Sequence, residues 1–209
     1  RILFGCYNIT LVNFIKRLLA EKKVPLGKNG VEVLHFFELC AKILNEPVAW
    51  EKEEAAYYDL VIEEALTKAK DFPEKYDAIL VDEGQDFSDA MYRIVVSLLN
   101  PATNHLAIAL DDNQNIYRRS QTWKELGIQA RGRVHKLSWV YRSTGNITAY
   151  ANQFLSRQEE KTEAQTPQME LFQEFLTTIG PDPEVKQFSD LNELIDYVAK
   201  KIDYLHREE

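Results

Sequence analysis

Short apolar runs alternate along the chain with longer stretches in which apolar residues recur every three or four positions. Residues 78–81 form an unbroken run that ends in polar residues, which is typical of a buried parallel strand. The strand-like runs are residues 2–6, 78–81, 106–110, 134–137 and 185–188. Because these runs alternate with helical patterns, the sequence predicts an α/β fold with three layers around a mainly parallel sheet.

Several helical patterns follow a polar residue that can cap a helix. Thr10 and Ser88 each precede a periodic apolar segment, and residues 51–70 predict a longer helix. Asp190 precedes the last helix, whose apolar side chains we expect to face inward. Those side chains are Leu191, Leu194, Ile195, Val198 and Ile202.

Size and composition indicate a globular protein in a reducing compartment. The 209 residues are 45% hydrophobic, and no apolar stretch approaches the length of a membrane-spanning helix. Cys6 and Cys40 lie in apolar runs without the spacing of metal ligands. We therefore expect a cytoplasmic protein. Since Arg1 already opens a strand-like run, we also expect a piece of a longer chain.

Three polar clusters each follow a strand-like run, and they lie at residues 82–86, 111–119 and 139–144. If the strands are parallel, the clusters meet at one edge of the sheet, where open α/β sheets bind ligands. That edge would offer carboxylates for a metal, Gln for a phosphate or a water, Arg for developing charge, and aromatic faces for bases. This mixture suits phosphoryl transfer. The formal net charge of −8 argues against a dedicated non-specific nucleic-acid binder, but not against a motor that grips single strands locally.

These clusters resemble the motifs of the UvrD/Rep family of superfamily-one DNA helicases, in the family's order and spacing. Residues 82–86 resemble the Walker B motif Asp-Glu-x-Gln-Asp, residues 110–117 resemble motif III, and residues 140–143 resemble motif IV. Residues 1–8 resemble motif Ia, and residues 35–40 weakly resemble motif Ib. The resemblance implies a RecA-like fold of the P-loop NTPase type. It places part of a first motor domain at 1–135 and the start of a second at 136–209.

The resemblance implies an ATP-dependent DNA helicase that uses ATP and Mg²⁺ and acts on single-stranded DNA or a duplex junction, as in DNA repair. It names no protein partner and no membrane. In the nucleotide site, Asp82 would hold Mg²⁺ and Glu83 would polarise the attacking water. Gln114 would sense the γ-phosphate, Arg142 would act as an arginine finger, and Tyr141 would stack on adenine. The residues implied to contact nucleic acid are Tyr7, Asn8, Phe36, Tyr117 and Arg119.

The chain departs from the family pattern at three motif positions and also in the motifs that it lacks. Leu110 replaces the usual Gly of motif III, Arg119 stands where an aromatic residue is usual, and Val140 replaces the usual Asn. No Gly-x-x-x-x-Gly-Lys-Ser/Thr phosphate loop occurs in the sequence, and motifs V and VI are not found after residue 155. We therefore expect an internal helicase fragment that hydrolyses no ATP by itself.

Two other interpretations remain open from the residues. One is a degenerate, non-hydrolysing helicase-like module that serves protein interaction. The other is a metal-dependent hydrolase such as a nuclease, in which carboxylates form a two-metal cluster. Its ligands would be Asp82, Glu83, Asp86, Asp111 and Asp112.

Overall fold

The computed structural model describes residues 1–49, 55–111, 122–135, 143–159 and 179–208. They divide into two compact units, Arg1–Val134 and His135–Glu209. The elements of the first unit are β1 (Ile2–Cys6), α1 (Ile9–Glu21), β2 (Val31–His35), α2 (Phe36–Leu44), α3 (Ala55–Ala69), β3 (Ala78–Val81), α4 (Asp89–Leu98) and β4 (His105–Ile108). The second unit contains α5 (Gly145–Glu159) and α6 (Leu191–Glu208).

The first unit is built on a four-stranded sheet in the order β2-β1-β3-β4, and all three strand pairs are parallel. Helices α2, α3 and α4 cover one face, where Leu3 and Ile79 join the main core. Helix α1 covers the other face over Cys6 and Val33. The predicted three-layer parallel α/β architecture is therefore confirmed.

The polar residue Glu32 occupies a buried position in β2. Its carboxylate is 8% exposed and accepts hydrogen bonds from Arg1 Nη2 at 2.6 Å, Tyr76 Oη at 2.8 Å and Lys42 Nζ. Burial alone would raise the pKa of Glu32, but these hydrogen bonds outweigh it and hold the pKa below its usual value. Strand β2, which the sequence pattern did not predict, therefore carries a buried negative charge that partners distant in the sequence compensate.

Some predicted boundaries are wrong. Helix α1 is capped by Asn8 rather than by Thr10, because Asn8 Oδ1 accepts from the Leu11 backbone N–H at 3.1 Å. Residues 185–188 form no strand, and Val185 is 66% exposed. Ser88 does cap α4, with Oγ accepting from Met91 N at 3.4 Å.

The side chains of α6 also differ from expectation. The helix forms where it was predicted, but its apolar residues do not face inward. The exposed members of this face are Leu191, Leu194, Ile195, Val198 and Ile202. In the part of the chain that the structure covers, no helix combines the length and apolar character needed to cross a bilayer.

Candidate functional site

The acidic cluster lies at the carboxyl end of β3, one of the two inner strands of the sheet. Asp82 follows the strand directly, and its backbone N–H donates to Gly5 O of β1 at 3.1 Å. On the other side, the Gly84 N–H donates to Ala109 O, just after β4, at 2.9 Å. The segments that follow β1, β3 and β4 therefore meet at one edge, as parallel topology requires.

Glu83 adopts an unusual backbone conformation at this edge. Its φ of 53° and ψ of 43° lie in the left-handed region, which a residue with a Cβ occupies at a cost of about 1 kcal/mol. The Asp82 carboxylate accepts from the Glu83 N–H at 3.0 Å, and a short 3₁₀ helix, Gly84–Asp86, follows. This turn holds the half-buried Glu83 at the strand tip.

The turn is packed tightly against the body of the unit. The Gly84 carbonyl accepts from the hydroxyl of the fully buried Tyr92 at 2.6 Å. Burial raises the pKa of the Asp86 carboxyl, and the nearby Glu83 carboxylate raises it further. The Cys6 thiol donates to Asn8 O at 3.2 Å, and burial raises its pKa, as do the charges of Asp82 and Glu83. Cys6 is thus an inert thiol that lies close to the acidic pair.

The donor set fits a magnesium ion that is shared with phosphates rather than an all-protein metal cage. Among the residues that the structure describes, no group of three or more His, Cys, Asp or Glu side chains is arranged to hold a metal. A two-metal cluster built on Asp82, Glu83, Asp86 and Asp111 is therefore not formed, and Asp112 lies outside the described residues. Mg²⁺ at a nucleotide commonly takes one or two carboxylates and completes its shell with phosphate and water oxygens. The pair at residues 82–83 suits that role.

A pocket with aromatic walls lies at the carboxyl ends of β1 and β2. Tyr7, His35, Phe37 and Tyr58 line a cavity of about 230 Å³. The Phe37 and Tyr58 ring centroids are 4.8 Å apart, and those of Tyr7 and His35 are 5.4 Å apart. The rings thus form one continuous aromatic lining.

His35 holds two walls of this pocket together. Its Nδ1 accepts from the Phe37 backbone N–H at 3.2 Å, so the ring proton resides on Nε2, which donates to Tyr7 O at 2.9 Å. Burial lowers the pKa of His35, although the bond to Tyr7 opposes that effect. The neutral imidazole therefore caps α2 and fixes the segment after β1.

Two residues expected to contact nucleic acid have structural roles. Phe36 is 1% exposed and packs edge-on against Phe87, with ring centroids 5.5 Å apart, so it belongs to the core and offers no face to a base. Asn8 is exposed, but its side chain caps α1. Tyr7 is half-buried and lines the pocket, and its contact with nucleic acid stays a prediction.

The remaining expected site residues, Gln114, Tyr117, Arg119, Tyr141 and Arg142, lie outside the described part of the chain. Their roles stay predictions.

Sequence reasoning missed three pocket residues, namely His35, Phe37 and Tyr58. The sequence did contain a signal, because aromatic or imidazole side chains are adjacent to one another at 35–37 and at 57–58. Each group has more rings than a single core position requires.

Comparison with known proteins gives one family. No curated protein and no solved structure matches the chain. Residues 28–125 match the family model of the UvrD/REP helicase N-terminal domain, and this segment contains β2, β3, the acidic cluster and most of the aromatic pocket. Residues 28–125 of the chain are therefore similar to the UvrD/REP helicase N-terminal domain.

Proposed function

We propose that this chain supplies part of the motor of an ATP-dependent DNA helicase, which couples ATP hydrolysis to movement along a single strand. The observation that carries the proposal is the position of Asp82 and Glu83. They follow an inner strand of a parallel sheet, within the segment that matches a helicase family.

In the proposed nucleotide site, Asp82 and Glu83 have different roles. The Asp82 carboxylate holds Mg²⁺, which when bound neutralises charge on the nucleotide phosphates. The Glu83 carboxylate accepts a hydrogen bond from the attacking water and orients it. Gln114, Tyr141 and Arg142 lie outside the described residues, and we propose for them γ-phosphate contact, adenine stacking and charge stabilisation, respectively.

In the nucleic-acid site, the aromatic pocket receives a base of the single strand. A cavity of about 150 Å³ accepts a benzene ring, so the larger cavity of about 230 Å³ has room for a base. Stacking of a base on an aromatic side chain contributes about 1–3 kcal/mol and is tolerant of sequence. Tyr58 and Tyr7 are half-buried and present the ring area that such stacking requires.

The sequence contains no phosphate loop, whose backbone N–H groups and Lys would bind the β- and γ-phosphates. We therefore expect the purified 209-residue chain to hydrolyse no ATP. Robust ATPase activity that Glu83→Gln abolishes would contradict this expectation.

The nucleic-acid role is tested by fluorescence anisotropy with a labelled oligothymidylate at low, stated salt. Tyr58→Ala should weaken binding about 5- to 150-fold because it removes one stacking face, whereas Tyr58→Phe should bind as wild type does. Phe14→Ala is the matched control, since Phe14 is 49% exposed and does not line the pocket.

Equal binding by Tyr58→Ala and wild type would contradict the stacking role. A wild-type chain that binds no oligonucleotide at all would favour the alternative, a helicase-like module that serves protein interaction.

A further inference from the structure

Gln85 is a buried polar residue of the first unit, and both ends of its amide are used. The side chain is 3% exposed. Its Nε2 donates to Glu83 Oε2 at 2.6 Å, and its Oε1 accepts from the Asp111 backbone N–H at 3.0 Å. The amide thus bridges the turn after β3 and the segment after β4.

We propose that Gln85 is a positioning residue, which fixes the Glu83 carboxylate and ties it to the chain that leaves β4. The inference rests on the proposed role of Glu83 in orienting water. It concerns a residue that touches neither nucleotide nor metal and acts through its neighbour.

The direction of the amide follows from its two partners. A carboxylate only accepts hydrogen bonds, and a backbone N–H only donates them. A flipped amide would place its oxygen against the Glu83 carboxylate and its NH₂ group against the Asp111 N–H, so both hydrogen bonds would be lost. One amide orientation therefore satisfies both neighbours. This distinguishes a specific link from a side chain that only fills space.

The link also has a mechanical consequence. The Gly84 N–H to Ala109 O bond already joins the same two segments through their backbones, at 2.9 Å. The Gln85 bridge adds a connection that ends on the carboxylate itself. Asp111, whose backbone N–H donates to Gln85, precedes Gln114 by three residues in the sequence.

The test uses NMR on the nucleotide-free 209-residue chain and two variants that separate the two hydrogen bonds. Gln85→Glu keeps an acceptor for Asp111 but faces the Glu83 carboxylate with another acceptor. Gln85→Met has a similar length and removes both bonds. The measured quantities are the hydrogen-exchange rate of the Asp111 amide and the ¹³C shift of the Glu83 side-chain carboxyl.

Each variant has its own expected pattern. In Gln85→Met, exchange at Asp111 should rise about tenfold, as loss of one net hydrogen bond implies, and the Glu83 carboxyl shift should move. In Gln85→Glu, the Glu83 shift should move while exchange at Asp111 stays within about threefold of wild type. The Tyr92 amide, which donates to Ser88 O at 3.1 Å in α4, reports that the fold is intact.

Unchanged exchange at Asp111 in Gln85→Met would overturn the proposal, as would an unchanged Glu83 shift in both variants. Identical responses of the two variants would also overturn it, because a general loosening of the turn would then explain them. Neither nucleotide nor nucleic acid is present. If the oligonucleotide-binding experiment fails, the conclusion on Gln85 is therefore unchanged. If the Gln85 test fails, the conclusion on oligonucleotide binding is likewise unchanged.

Discussion

Substitution of Gly84 by Ala should destabilise the first unit, because the turn that carries the acidic pair has no room for a Cβ. A Cβ built at Gly84 would lie 2.6 Å from Tyr92 Oη, 2.8 Å from Ile108 Cγ2 and 3.1 Å from Ala109 O. The first two distances are far inside van der Waals contact, and these neighbours belong to separate elements of a packed unit.

The magnitude has two parts. Overpacking of a well-packed interior costs about 1–3 kcal/mol. Displacement of Tyr92 would also strain or break its 2.6 Å bond to the Gly84 carbonyl, at about 1 kcal/mol. We therefore expect Gly84→Ala to lower the free energy of unfolding by about 3 kcal/mol.

Urea denaturation followed by circular dichroism measures this loss. With an m-value of about 2–3 kcal/mol/M, the unfolding midpoint should fall by about 1–1.5 M. Gly5→Ala is the matched control, because the nearest atom to a Cβ there is Leu80 O at 4.0 Å. We expect that variant to stay within about 0.5 kcal/mol of wild type or to gain slightly, since Gly weakens a strand.

A double-mutant cycle identifies the clashing atom. Tyr92→Phe removes the hydroxyl that lies nearest to the added Cβ, so Gly84→Ala should cost about 1 kcal/mol less in the Tyr92→Phe background than in wild type. If the two substitutions are additive, or if Gly84→Ala shifts the midpoint no more than Gly5→Ala, the argument from crowding is wrong.

Two further predictions concern charge and capping. Hydrogen bonds from Lys28 and Arg1 lower the pKa of Glu74 from 4.5 to about 2, so this carboxylate stabilises the fold above about pH 4.5, and that contribution is lost as the pH falls towards 2. The urea midpoint of Glu74→Gln should therefore fall less between pH 5 and pH 2 than the midpoint of wild type does. An equal fall of the two midpoints would contradict the stabilising role of the Glu74 carboxylate. Asn8→Ala removes the cap of α1 and should cost about 1 kcal/mol in urea, whereas Asn8→Ser should restore most of it. Equal stability of the Ala and Ser variants would exclude a capping role.

The sequence predicted β3 and its acidic tip because the pattern there is local. An unbroken apolar run of four residues followed directly by carboxylates needs no distant partner to be recognised. The predictions of β1 and α4 succeeded for the same reason. The apolar run of β1 and the cap at Ser88 can both be identified from adjacent residues.

The sequence concealed β2 because two of its five residues, Glu32 and His35, are polar. Both are buried, at 8% and 5% exposure, and both are satisfied by groups from other parts of the chain. Glu32 pairs with Lys42 and with Arg1, 10 and 31 residues away. Periodicity treats such residues as solvent-facing, so it fails wherever a buried polar group finds its partner through the tertiary fold.

The error at Phe36 has a similar origin at shorter range. Two adjacent aromatic residues begin α2, and the sequence does not show which ring enters the core. The position of the helix cap determines which ring is buried. Because His35 caps α2, Phe36 packs against Phe87 and Phe37 lines the pocket. A helix start one residue later would give Phe37 the first helical position, which Phe36 occupies now.

The strand order gives β1 a place in both candidate sites. Because β1 lies between β2 and β3, its carboxyl end borders the aromatic pocket on one side and the acidic pair on the other. Tyr7 O accepts from His35 Nε2, while Gly5 O accepts from Asp82 N. The two sites are therefore fixed to the carboxyl end of one strand, through residues that are two positions apart. In the proposed motor, β1 is the element through which nucleotide state and the grip on a base would be linked.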